Sequence, residues 1–311
     1  MKALTITKAE EMRIRNLGFL KINGTDEFSG RIITINGRVN SEQLRRIADA
    51  AEKYGNGEVI MTTRLTFECT GIPYENIEPF RKYIEECGME MGGLGKKLKP
   101  VVSCKGSKCK YGLIDTYDIS EEIHNEIYRK YSMTEMPQKF KIAVGGCPNN
   151  CVKADLNDLG IVGRYIPELD ENKCRSCKKC GAKDVCPSNA VYFDDNKAQI
   201  DYNKCINCGR CEKKCLFKAI KAKKTGYKVY VGGRRGKRTT HGKMLKEVFT
   251  TREEIIKIVE KAVLLFRENG IYGERFVSTI ERTGFEKIEK ELVSDKILLR
   301  KEEILEKEIK K

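Results

Sequence analysis

The sequence holds fourteen cysteines in 311 residues, and twelve of them fall in short, regular spacings. Cys147 and Cys151 lie in Gly145-Gly146-Cys147-Pro148-Asn149-Asn150-Cys151. About forty residues earlier, Cys104 and Cys109 lie in Ser103-Cys104-Lys105-Gly106-Ser107-Lys108-Cys109. Two pairs make the four thiolates that a [4Fe-4S] cluster requires. Eight more follow in a denser pattern: Cys174, Cys177, Cys180 and Cys186, then Cys205, Cys208, Cys211 and Cys215. The second run repeats the first at an offset of 31 residues for three positions and 29 for the fourth, an internal duplication. Cys69 and Cys87 stand outside these sets and read as ordinary small buried residues.

The chain begins Met1-Lys2-Ala3-Leu4-Thr5 and runs into a charged stretch with no apolar signal region. Clustered thiols in such a chain read as metal ligands, not disulfides. No run approaches the roughly 18 apolar residues of a membrane span. The expectation is a soluble cytoplasmic protein; 40% hydrophobic residues suffice for a sizeable core and 34% charged residues suit solubility.

Elements must bring these thiols together. Lys139-Phe140-Lys141-Ile142-Ala143-Val144 alternates lysine with apolar residues, so both lysines share one face of a strand that delivers the chain to Gly145. Upstream, residues 28–35 read as a strand with a turn at Asn36-Gly37. Ser41 reads as the cap of a helix with Leu44, Ile47, Ala48 and Ala51 on one face, and Gly55-Asn56-Gly57 as its end. Residues 58–68 read as a second strand and 77–87 as a helix, an α+β pattern of the ferredoxin-like type. The glycines at 92, 93 and 95 lack the Gly-Lys-Ser/Thr of a phosphate loop. A helix is expected over 119–131, a strand over 228–231 running into the basic loop Gly232–Arg238, a helix over 251–266, and a charged helical tail. His124 and His241 have no recognisable ligand partner.

The C-x2-C-x2-C…C repeat resembles the bacterial two-cluster ferredoxin, in which the fourth cysteine of each run ligates the other cluster. The resemblance implies one cluster on Cys174, Cys177, Cys180 and Cys215, and a second on Cys205, Cys208, Cys211 and Cys186. Five residues precede Cys186 where the pattern has three, and Leu216 stands where proline follows the last cysteine. The longer spacing leaves the pairing of Cys186 and Cys215 between the two clusters open. Such a segment moves single electrons and implies a catalytic centre elsewhere.

The remaining motifs together resemble the sirohaem-dependent sulfite and nitrite reductases. They are Thr62-Thr63-Arg64 with Phe67, the Cys104/Cys109 pair, Pro137-Gln138-Lys139-Phe140-Lys141, and Gly145–Cys151. The resemblance implies a [4Fe-4S] cluster on Cys104, Cys109, Cys147 and Cys151, with Cys151 also bridging to the sirohaem iron, and three clusters in all. It implies substrate lysines at Lys139 and Lys141, an anion-binding arginine at Arg64 and a looser match at Arg31. Thr62, Thr63, Asn149 and Asn150 fall in its cofactor-binding motifs. Arg234, Arg235, Lys237 and Arg238 suit a clamp on sirohaem carboxylates, since guanidinium forks match carboxylates. The expected fold is α+β: a ferredoxin-like half domain over 1–92, a sirohaem and [4Fe-4S] domain over 93–168 and 223–311, and a ferredoxin domain inserted at 169–222.

A single reductase half with an internal ferredoxin segment is similar to the small anaerobic sulfite reductases. That likeness implies separate iron–sulfur and flavoprotein donor subunits, NADH-linked, and a homo-oligomer that supplies a second half. The expected reaction takes sulfite to hydrogen sulfide. Nitrite reduction to ammonia and a non-catalytic electron-transfer subunit are the alternatives. The net charge of +15 first suggests nucleic acid. Three clusters at about −2 each and a tetrapyrrole with eight carboxylates bring it to about +1, so no nucleic acid is expected.

Overall fold

The structure, a computed structural model, describes residues 6–195 and 197–311; Met1–Thr5 and Asn196 lie outside the described residues. The chain opens with α1 (Lys8–Asn16), β1 (Phe19–Lys21), β2 (Phe28–Ile33), α2 (Ser41–Tyr54), β3 (Val59–Met61), β4 (Phe67–Ile72), α3 (Ile77–Glu85) and β5 (Glu90–Met91). The strands form an antiparallel sheet in the order β1-β2-β4-β3, with β5 also on β2. Phe19, Phe28, Ile32, Ile47, Ile72, Ile77, Phe80 and Ile84 pack between this sheet and its helices.

Two local expectations differ here. Asn40, not Ser41, caps α2, with reciprocal bonds to Gln43. The buried face of α2 is Ile47, Ala50 and Ala51, while Leu44 is exposed. The stretch 58–68 is a hairpin instead of one strand. Thr62 accepts at its carbonyl from the Leu65 amide and at its hydroxyl from the Thr66 amide, with Leu65 left-handed at φ 58°. Arg64 thereby sits at a hairpin tip.

The second half is built on β6 (Val102–Ser103), α4 (Thr116–Ile123) continuing through a π turn into α5 (Arg129–Tyr131), β7 (Ile142–Gly145) and β8 (Leu159–Leu169). After a small segment with α6 (Gly181–Asp184), β9 (Val191–Asp194) and β10 (Lys197–Ile200) come β11 (Ile220–Val231), β12 (Lys243–Met244) and α7 (Arg252–Asn269). Helices α8 (Phe276–Thr283), α9 (Phe285–Val293), α10 (Lys296–Leu299) and α11 (Lys301–Glu306) complete it. The sheet order is β12-β11-β8-β7-β6, parallel at β6-β7-β8 and antiparallel at β8-β11. Buried α7 packs on this sheet, and Phe140, Phe266 and Phe276 meet at centroid distances of 5.3–5.8 Å. Burying one such ring contributes about 1.5–3 kcal/mol.

β8 is absent from the sequence expectation and β11 is longer than expected. Gly160 and Gly163 interrupt one strand, and the exposed run Lys221–Thr225 obscures the other. Paired from Leu159↔Val231 to Leu169↔Ile220, these strands form a ribbon whose end carries residues 170–219. Among the described residues no helix is long and apolar enough to cross a membrane.

Candidate active site

β6 and β7 end side by side and set the first quartet. Cys104 follows β6, and Cys147 follows β7 after Gly145-Gly146. The Gly146 amide donates to Cys104 Sγ at 3.2 Å. Burial pushes the Cys147 thiol up, and the neighbouring Cys104, Cys151 and Cys109 thiols push in the same direction. Cys104, Cys109 and Cys151 thus all lie within electrostatic reach of Cys147. Among the described residues no three His, Cys, Asp or Glu side chains converge tightly enough for a single ion. A cube of four irons needs a wider ring than a lone zinc, and the donor set fits a cluster.

One cavity opens beside the quartet and a second adjoins it. The first, about 590 Å³, is lined by Cys104, Cys151, Ser103, Thr63, Arg64, Lys141, Asn157 and Arg235 among others. Ser103 Oγ and Arg64 Nε are buried with no hydrogen-bond partner in the protein, the mark of a cavity built for a polar ligand. Exposed Cys151 faces the same space, so the residues present suit an iron tetrapyrrole with carboxylates. The second cavity, about 380 Å³, is lined by Arg15, Arg31, Arg64, Lys96, Lys99, Lys139 and Lys141 with Gly95 and Gln138. Seven cations and no carboxylate line it. Arg64 and Lys141 belong to both cavities.

Several of these residues are held by specific partners. Arg64 donates from Nη1 to Asn157 at 2.8 Å and from Nη2 to the carbonyls of Pro100 and Ile142 at 2.6 and 3.0 Å. The tip of the first sheet is thereby locked onto the second. Burial lowers the Arg64 pKa to about 10. The Lys141 amide donates to Asp158 at 3.0 Å. Asp158, fully buried, takes two bonds from Arg275 at 2.8 and 2.9 Å. Arg31 Nε donates to Glu68 at 2.7 Å. Burial, with Arg64 and Lys139 adding repulsion, lowers Lys141 to about 8. Burial, then Arg31, Lys139, Arg64 and Lys141, lowers Lys99 to about 7.

The expected residues separate into groups. Lys139, Lys141, Arg64 and Arg31 come together around one basic cavity. Thr63 and Arg235 line the cofactor-sized cavity. Thr62 bonds Thr66 at 2.6 Å and shapes the turn below Arg64. Asn149 is exposed. Asn150 accepts from the Ala154 amide at 2.8 Å and bonds Asp155, which is itself 2.5 Å from His241. Arg234 pairs its backbone with Thr240, while Lys237 and Arg238 are exposed. His124 is buried, stacked on Tyr128 at 5.0 Å and 3.4 Å from Glu90. Cys69 is buried, its thiol pushed up to about 12 by burial; Cys87 donates to the Ile84 carbonyl at 3.1 Å.

Sequence reasoning missed Lys99, Lys96, Arg15 and Ser103. The run Lys96-Lys97-Leu98-Lys99 just before Ser103-Cys104 was the available signal.

The ferredoxin-type thiols are ordered around a small core of Ala182, Val191, Ile200, Cys211 and Ile220. Cys186 Sγ accepts from the Ala190 amide at 3.2 Å and Cys215 Sγ from the Ala219 amide at 3.3 Å, so the duplication reappears in three dimensions. Cys186, Cys205, Cys208 and Cys211 line one small cavity. Cys180 and Cys215 flank the close approach of Gly181 to the Lys214 carbonyl.

Comparisons with known proteins agree with this architecture. The sequence family described as the nitrite and sulphite reductase 4Fe-4S domain matches residues 94–297. The nitrite/sulfite reductase ferredoxin-like half domain matches residues 21–87. The chain is 32% identical over 267 residues to a coenzyme F420-dependent sulfite reductase of Methanocaldococcus jannaschii, covering 84% of this chain and 41% of that protein. It is 31% identical over 175 residues to one subunit of the anaerobic sulfite reductase of Salmonella typhimurium, covering 51% of this chain and 50% of that one. The chain thus spans half or less of the length of these two relatives. The crystal structure of dissimilatory sulfite reductase I superposes with a TM-score of 0.70 at 20% identity, over 86% of this chain and 69% of that one, which speaks to the fold. With both domains matched over most of its length, the chain belongs to the nitrite and sulfite reductase family.

Proposed function

We propose that this chain reduces sulfite to hydrogen sulfide at a coupled sirohaem–[4Fe-4S] centre, fed by two ferredoxin-type clusters. The observation that carries the reading is the pair of adjoining cavities that share Arg64 and Lys141, one beside Cys104 and Cys151 and the other lined by seven cations. When bound, the iron tetrapyrrole and its cluster supply a metal for the substrate and a store of electrons. Cys104, Cys109, Cys147 and Cys151 would hold the cluster, and Cys151, which lines the larger cavity, would also reach the tetrapyrrole. Arg64 and Arg235, which line the same cavity, would pair with its carboxylates.

The second cavity is suited to the substrate. Sulfite is a dianion, and reducing it takes six electrons and eight protons while three oxygens leave as water. Arg31, Lys139, Lys141 and Lys99 would draw the anion in and oppose the charge of departing oxygens. Lys99 at about 7 and Lys141 at about 8 give up protons near neutrality far more readily than ordinary lysines near 10.4.

The inserted segment is read as a ferredoxin domain over about residues 169–222, with Cys174, Cys177, Cys180 and Cys215 on one cluster and Cys205, Cys208, Cys211 and Cys186 on the other. Its electrons would come from separate iron–sulfur and flavoprotein subunits.

The test is the anaerobic purified protein. A tetrapyrrole band in the visible spectrum, with sulfide release from sulfite under a reducing dye, is the expected result. Absence of the band leaves only an electron-transfer subunit. Faster nitrite consumption with no sulfide release would assign the site to nitrite instead.

A further inference from the structure

One buried cation lies outside the substrate cavities. Arg164 sits in β8 at 8% exposure, and among the described residues it makes no ion pair with a carboxylate. Its guanidinium donates to Tyr230 Oη at 2.6 Å and, at 3.4 Å, to the Gly163 carbonyl. A second buried cation, Lys228, adds repulsion from the paired strand. An uncompensated buried guanidinium is costly, so this position calls for an anion. The thiols of Cys147 and Cys208 both lie within electrostatic reach of its guanidinium.

Those two thiols belong to different quartets, and β8 is where the quartets meet. On one side Gly163 packs on the catalytic motif so closely that a Cβ there would stand 2.6 Å from the Gly146 carbonyl. On the other side, the Tyr165 amide donates to the Asn207 carbonyl at 2.9 Å, Tyr165 forms a β-bridge with Cys208, and its ring abuts Gly209. A second contact supports the junction: Lys213 Nζ donates to the Lys110 carbonyl at 3.1 Å, next to Cys109. Along three consecutive residues the strand therefore meets Gly146, next to Cys147, at Gly163 and the second ferredoxin run at Tyr165, with Arg164 between.

We propose that Arg164 is the shared counter-ion of the catalytic cluster and of the ferredoxin cluster on Cys186, Cys205, Cys208 and Cys211. It acts as a positioning residue that raises the reduction potential of both. The inference rests on the proposed function, since it requires both clusters to be present. The order of electron flow follows: electrons enter at the cluster of Cys174, Cys177, Cys180 and Cys215, pass to the cluster of Cys186, Cys205, Cys208 and Cys211, and cross β8 to the catalytic quartet. A positive charge beside a cluster favours the more negative, reduced form. Arg164 lowers the cost of an electron on either side of the crossing.

The experiment is a potentiometric titration of the dye-mediated, anaerobic holoprotein, followed by electron paramagnetic resonance, for the native chain, Arg164→Gln and Arg164→Lys. In Arg164→Gln the midpoints of two clusters should fall so that the reduced-to-oxidised ratio at fixed potential drops at least tenfold, about 59 mV for a one-electron couple. The third cluster should stay where it is, and Arg164→Lys should recover most of the shift. Selective loss of those two clusters in Arg164→Gln, with retention in Arg164→Lys, supports the same role. Unmoved midpoints, or an equal shift at all three sites, would overturn it. Iron content separates this from failure of the underlying reading. A native chain with well under about twelve cluster irons fails the three-cluster function itself, whereas full iron with unmoved potentials fails Arg164 alone.

Discussion

Cys104 and Cys147 hang from the ends of parallel strands β6 and β7, above a core that includes Phe140, Phe266, Phe276 and the whole inner face of α7. The eight cysteines of 174–215 sit in loops around five buried side chains, one of them Cys211 itself. The first region has enough apolar burial to hold its shape from side-chain packing. The second is a segment of about fifty residues at the end of a ribbon, too small to be stabilised by its core alone. On the proposed reading its thiols would be structural as well as redox ligands, with metal binding there coupled to folding. Burial pushes the Cys211 thiol up to about 12, so it stays protonated near neutral pH when no metal is bound.

The largest expected effect follows from this contrast. Stripping iron anaerobically should leave amides of α7 protected while those of β9, β10 and the surrounding loops exchange orders of magnitude faster. Hydrogen exchange read by mass spectrometry checks it. Simultaneous loss of protection in both regions would mean that the catalytic half also depends on metal for its fold.

A smaller effect tests the packed region from inside. Asp158→Asn removes the carboxylate that receives two bonds from Arg275 and one from the Lys141 amide, leaving a half-paired guanidinium in the core. Breaking a buried pair from one side costs about 3–5 kcal/mol, to be read in denaturant unfolding. The ferredoxin-type cluster signals should not change. Next in size, Lys139→Ala and Lys141→Ala should each lower sulfite turnover by about 10²–10³ with the visible spectrum intact. Full activity in both would remove them from the site.

The same contrast governs what the sequence made legible. Metal-ligand spacing is a local property, so Cys174–Cys215 and the two catalytic pairs could be read directly. Lys139 and Lys141 were legible from the adjoining motif alone, since β7 begins only at Ile142 and the expected strand does not reach back to either lysine. The hairpin at Thr62–Thr66 was not, because Glu58–Glu68 carries continuous strand-forming residues and its turn depends on a threonine pair and a left-handed Leu65 without glycine. Lys99 was missed for another reason. Its ammonium is held locally, by the Gly93 and Gly95 carbonyls at 2.8 Å each, but its role comes from Arg31, Arg64, Lys139 and Lys141, which are distant in sequence and meet it only in the folded cavity. Arg164 lay in a strand whose glycines hid it.

The smallest effect is a pH dependence, and the depressed lysines fix its sign. Burial and neighbouring cations lower Lys99 to about 7 and Lys141 to about 8, so both are charged below pH 7 and both are neutral well above 8. An ordinary lysine pair would keep its charge to about 10.4. Anion affinity in the basic cavity should therefore fall as pH rises through 7 and again through 8, by up to about tenfold per unit for each charge required. Sulfite blurs the measurement because it gains negative charge over the same range and pulls the other way. Nitrite stays a monoanion from pH 6 to 9, so its inhibition constant against sulfite turnover isolates the protein's side. That constant should weaken steadily across the range, and Lys99→Arg, which keeps its charge, should flatten the lower step while leaving the upper one. A constant that is level from pH 6 to 9 would mean that the cavity's anion binding does not use these two lysines, and would leave Arg31 and Arg64 to hold the anion without them.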